Sequence, residues 1–76
     1  MRYKGGKNVQ VKKIDINNQL YIKISYHDNS FNRYYQLKDK TTDKTIVESY
    51  NRDSFLLKVN KIIKIDNNTE LLIASY

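Results

Sequence analysis

The chain has 76 residues and carries 14 Lys and Arg against 8 Asp and Glu, a net charge of +6. It contains no Cys and a single His, which excludes a disulfide framework and a thiolate metal site; no cluster of carboxylates stands in as an alternative ligand set, so neither metal nor cofactor is expected. No apolar run approaches the roughly 20 residues of a membrane span, and residues 1–8 lack the apolar core of a secretory signal, so the expectation is a cytoplasmic protein with no membrane partner.

Residues 1–8 include Arg2, Lys4 and Lys7 beside Gly5 and Gly6, the only glycines of the chain. They read as a flexible basic arm ahead of one small domain over 9–76. The first strand is expected over 9–16. Val9 and Val11 share one phase and Ile14 and Ile16 the other, which predicts a bulge at Lys12-Lys13. Asn17-Asn18 reads as a two-residue hairpin, because Asn tolerates positive φ. The second strand, 19–27, alternates cleanly: Leu20, Ile22, Ile24 and Tyr26 on one side, Tyr21, Lys23, Ser25 and His27 on the other. A turn at Asp28-Asn29-Ser30 leads to a third strand over 31–38, with Phe31, Arg33, Tyr35 and Leu37 opposite Asn32, Tyr34, Gln36 and Lys38. The polar run 39–44 is a turn, and 45–50 is a β-branched and aromatic fourth strand.

The period then changes. Phe55, Leu56, Val59, Ile62 and Ile63 fit one face of a helix over 54–65, with Asp53 or Ser54 as cap and Lys64 in the last turn. The alternation Leu57, Val59, Lys61, Ile63, Ile65 fits a strand as well. A turn at 66–68 and a short strand over 69–75 complete the chain. The fold expected is α+β: a four-stranded antiparallel meander followed by one amphipathic helix and a short C-terminal strand. An all-β SH3-like small barrel is the alternative. A chain this short buries a modest core, so a homodimer is expected.

Enzymatic constellations are scarce. No Gly-rich phosphate loop is present, His27 has no evident partner for proton transfer, and the turn 39–44 lacks the oxygens and glycine of a calcium loop. A non-enzymatic protein is expected. What stands out is a basic and aromatic sheet face. Lys13, Tyr21, Lys23, His27, Asn32, Tyr34, Gln36 and Lys38 fall on the polar side of the meander, where rings can stack bases and ammonium groups can neutralise phosphates. The same pattern also follows from ordinary β-propensity with solubilising lysines, and from the Lys- and Asn-rich coding of an AT-rich genome. Lys58, Lys61 and Lys64, three apart, form a second stripe.

The segments Val9-x-Val11, Leu20-Tyr21-Ile22-Lys23-Ile24 with Tyr26, and a helix opening near Phe55 and closing at Ile63-Lys64-Ile65-Asp66 resemble the transcriptional positive-cofactor family of single-stranded-DNA-binding proteins, and more loosely the Whirly-like binders. The resemblance spans 7 to 66. It implies a homodimer whose curved sheets hold single-stranded DNA, with Lys12 or Lys13, Tyr21 and Lys23 as contacts. The chain departs from the pattern in having no Gly-containing loop before strand four and in continuing beyond the helix.

The function expected is single-stranded DNA or RNA binding through Lys12, Lys13, Tyr21, Lys23, Tyr34 and Lys38. The alternative is a protein-binding module, such as a viral or mobile-element-encoded inhibitor or regulator of a host protein, using its tyrosines or a sheet edge.

Overall fold

The computed structural model describes residues 9–27 and 31–76; the expected basic arm and the turn at 28–30 lie outside the described residues. Four strands, β1 (Val9–Asp15), β2 (Leu20–His27), β3 (Tyr34–Asp39) and β4 (Thr45–Ser49), precede two helices, α1 (Arg52–Asn60) and α2 (Asn67–Ser75). The strands form one antiparallel sheet in the order β1-β2-β3-β4. The α+β meander is therefore as the sequence predicts. The sheet is open, with β1 and β4 at its edges, and two helices follow it, which is not the five-stranded SH3-like alternative.

Alternation sorts the side chains into two faces. Ile14, Ile22, Leu37 and Val47 form one cross-strand row, and Ile24 and Tyr35 the next. These rows are buried by Phe55 and Val59 of α1, Ile65 of the connection and Ile73 of α2. The Tyr35 and Phe55 rings lie 5.5 Å apart between centroids. Fully burying a side chain of this size contributes about 1.5–3 kcal/mol each, so these contacts are the main support of so small a fold.

Several expected details differ. The register of β1 against β2 is unbroken from Val9 to Asp15, so no bulge sits at Lys12-Lys13. The two phases of apolar residues occupy opposite faces: Ile14 is in the core, and Val9 and Val11 are exposed on the other side. The bulge is in β4 instead. Leu37 pairs with Val47 and Lys38 with Thr45, leaving Ile46 as the extra residue. The β1–β2 turn does not use positive φ at Asn17 or Asn18. Asn17 Oδ1 accepts from the amides of Gln19 at 2.7 Å and Leu20 at 2.8 Å, a side-chain substitute for the tighter turn. Strand β3 begins at Tyr34 rather than at Phe31, which is almost fully exposed.

Helix α1 starts and ends earlier than expected. Asn51, not Asp53 or Ser54, is its cap, and its Oδ1 accepts from the Ser54 amide at 2.9 Å. It stops at Asn60, before the β-branched pair Ile62-Ile63, whose χ1 freedom a further helical turn would restrict. The expected C-terminal strand is helix α2. Asp66 Oδ1 accepts from the Thr69 amide at 2.8 Å, and Glu70 sits favourably in the first turn. Leu71, Leu72 and Ala74 are good helix formers, and a short apolar run has no period that distinguishes strand from helix.

Candidate nucleic-acid interface

Among the described residues, no helix covers the second face of the sheet. Its cross-strand rows are Asp15–Tyr21–Lys38, Lys13–Lys23–Gln36–Glu48 and Val11–Ser25–Tyr34. Five of the six predicted contact residues, Lys13, Tyr21, Lys23, Tyr34 and Lys38, thus share one open face. Lys12 does not. It projects to the helix side, where its ammonium lies 5.7 Å from the Tyr76 ring centroid.

The hairpin end of this face is a fixed polar cluster. The Tyr21 hydroxyl donates to Asp43 Oδ1 at 2.8 Å, and Lys38 Nζ lies 3.6 Å from the same oxygen. Asp43 holds that position from a left-handed backbone, φ 60°, which a short polar side chain tolerates. The turn behind it is tied by Asp39, whose Oδ1 accepts from the Thr41 and Thr42 amides at 2.8 and 3.0 Å. These bonds hold the Asp39 carboxyl below its ordinary value. Asp43 is lowered too, first by the Tyr21 hydroxyl and then by Lys38, and Tyr21 is raised in turn by the same hydrogen bond. Lys38 is buried, its side chain only 11% exposed, and is committed to Asp43. Lys40 is likewise paired, 3.0 Å from Asp15.

Lys13 and Lys23 differ from these. Lys13 lies 5.6 Å from the Tyr21 ring centroid, and neither lysine has a carboxylate within ion-pair distance among the described residues. Among the described residues they are the lysines of this face that stand outside its ion pairs.

The opposite end of the face is aromatic. The Tyr34 and Tyr50 rings stack with centroids 4.8 Å apart and planes 30° from parallel. The Tyr34 hydroxyl donates to Glu48 Oε1, which pushes its pKa up to about 12. Val9, Ser25, Tyr26, His27, Asn32 and Arg33 complete, with these two rings, a groove of about 380 Å³. Tyr50 is 77% exposed and was not among the residues the sequence singled out. Its phase was readable, since it follows Glu48 by two residues, but it stands one residue past the end of β4.

The expected second stripe is not one helical face. Lys58 belongs to α1, while Lys61 follows its last residue and Lys64 lies in the connection to α2. Among the described residues no three His, Asp or Glu side chains gather to hold a metal, and no helix is long and apolar enough to cross a membrane. No protein-family model, curated protein or solved structure matches the chain.

Proposed function

We propose that the chain binds single-stranded nucleic acid, with little sequence preference, along the open face of its sheet. The Tyr34–Tyr50 stack carries this reading. It presents an exposed ring beside an open groove, one cross-strand row from Lys13 and Lys23. Every base has a π-face, so such a platform accepts any of them, but only when the base is unpaired. Lys13 and Lys23 neutralise phosphates without reading sequence. Lys38 and Asp43 have a different part: they hold Tyr21 and the adjoining turn in place.

The test is an anisotropy titration of the full chain against a labelled single strand of about 20 nucleotides and its duplex, across a salt series. Preference for the single strand with a steep salt dependence is expected. A folded protein that binds neither at low salt overturns the reading.

A protein-binding role is the second reading, favoured by the apolar side chains on the helical layer. Leu57 and Leu71 are about two-thirds exposed, at 67% and 66%, and Ile62 is half exposed. Binding of a protein partner that persists at high salt and is lost on changing these residues distinguishes it.

A further inference from the structure

We propose that two copies of this chain join edge to edge through β1, running antiparallel and centred on Val11, so that the two sheets become one. Strand β1 is an edge strand, and among the described residues no strand pairs with its outer side. Its hydrogen-bond phase is set by the adjoining turn, where the Ile16 amide donates to the Leu20 carbonyl at 3.1 Å. In an antiparallel ladder such bonded pairs recur every second residue. With the unbroken register of β1, Ile14 and Lys12 therefore bond to β2, and Val9, Val11, Lys13 and Asp15 turn their amides and carbonyls to the free edge.

The two edges of the sheet are defended differently. Strand β4 is short, carries the bulge at Ile46, and has its Glu48 carbonyl 3.5 Å from Lys58 Nζ. Bulges and charges of this kind discourage pairing with another chain. Strand β1 is regular over seven residues. Its two lysines would ordinarily guard it, but Lys12 lies over Tyr76 on one face and Lys13 over Tyr21 on the other. Beside them Val9 and Val11 are 52% and 44% exposed.

The Val11-centred register follows from charge and burial. It sets Val11 against the second copy's Val11, Val9 against its Lys13 and Gln10 against its Lys12, with no like charges opposed. Centring on Lys12 or Lys13 opposes two lysines, which is destabilising. Centring on Ile14 leaves Val9 uncovered. In the joined sheet the valines form a seam, the Lys13–Lys23 rows flank it, and the Tyr34–Tyr50 stacks stand at the outer ends. The second copy thereby lengthens the open face, although the pairing itself does not depend on the nucleic-acid reading.

Sedimentation equilibrium of the full chain, without nucleic acid and up to about 100 µM protomer, tests it. The wild type is expected at twice the chain mass. Val11→Pro is expected to be a monomer with an unchanged circular dichroism spectrum, because the amide it removes donates nothing to β2. Val11→Lys, which opposes two lysines at the centre, provides the same test without a proline and is expected to be monomeric. A wild type that is monomeric throughout, or folded Val11 variants that remain dimers, overturns the proposal. A dimer that binds no single strand overturns only the nucleic-acid reading, and a monomer that binds one overturns only the seam.

Discussion

The exposed Tyr50 ring lies against Tyr34, and Tyr34 is itself fixed by its hydroxyl to Glu48. A base that stacks here meets a ring already ordered by its neighbours, so little side-chain entropy remains to be lost on binding. Removing the ring in Tyr50→Ala should weaken single-strand binding by about 1–3 kcal/mol, the usual worth of one stacked base. Tyr50→Phe keeps the π-face and should bind within a few-fold of wild type. Anisotropy titrations at one fixed salt concentration measure both; an alanine variant equal to wild type would exclude this stack as the platform.

The lysines make a sharper test, because two adjacent ones point to opposite faces. Lys13→Ala and Lys23→Ala should each lower the slope of log affinity against log salt by about one, the signature of one lost phosphate contact. Lys12→Ala should leave the slope unchanged, since Lys12 is on the helix side near Tyr76. A slope that falls equally in all three variants would mean that the charge acts diffusely, not from the open face.

The faces of the sheet were legible in the sequence because strands have a period of two, and a single misplaced boundary does not alter which residues point together. Ile22, Ile24 and Leu37 could be assigned to the core, and Tyr21, Lys23 and Tyr34 to one exposed face, from alternation alone. What was not legible depends on how turns, caps and strand ends close, which alternation does not report. Lys38 has the right phase for a phosphate contact, but Asp43 comes back across the turn to pair with it. The C-terminal run Leu71-Leu72-Ile73 is too short to reveal its own period, and the Asp66 cap decides it as helix. Tyr50 falls at the end of the expected fourth strand, 45–50, whose residues were not assigned to a face, and the bulge at Ile46 breaks the alternation there.

The tyrosine–carboxylate bonds predict how stability changes in alkali. Tyr34 is raised from its ordinary value of 10.0 to about 12, chiefly by the hydrogen bond to Glu48, and Tyr21 is raised by Asp43. Below about pH 10 these hydroxyls are protonated in both folded and unfolded chains, and their bonds contribute fully. Between about pH 10 and 12 the unfolded chain ionises first, so stability falls across that window. Phenolate absorbance should show Tyr34 titrating late, and Glu48→Gln should advance it. An unshifted curve in that variant would contradict the assignment.

In acid the sign is reversed. Asp39, Asp43 and Asp66 all lie below their ordinary value of 3.8, held there by the Thr42 and Thr41 amides, by Tyr21 and Lys38, and by the Thr69 amide respectively. Their stabilisation is complete above that value. It is lost as pH falls, because the unfolded chain takes up protons first and the folded carboxylates follow only at lower pH. Urea midpoints measured from pH 5 down to pH 2 should decline, and Asp43→Asn should flatten part of that decline while sparing the left-handed turn. A decline of undiminished steepness in Asp43→Asn would assign the acid sensitivity elsewhere.

Helix α2 gives the most direct check on how the core closes. Were residues 69–75 a strand, Leu71 and Ile73 would share one side and be buried together. In the helix they are separated: Ile73 is fully buried beside Phe55 and Val59, and Leu71 is 66% exposed. Ile73→Ala should therefore cost about 2–5 kcal/mol, the range for deleting a large aliphatic side chain from a packed core. Leu71→Ala should change stability by no more than about 0.5 kcal/mol, as at other exposed positions. Total stability for a chain of this size lies near the lower end of the usual range of about 5–15 kcal/mol, so Ile73→Ala should remove a large share of it. Urea unfolding followed by circular dichroism measures both, and equal losses in the two variants would show that the segment is not packed as this helix.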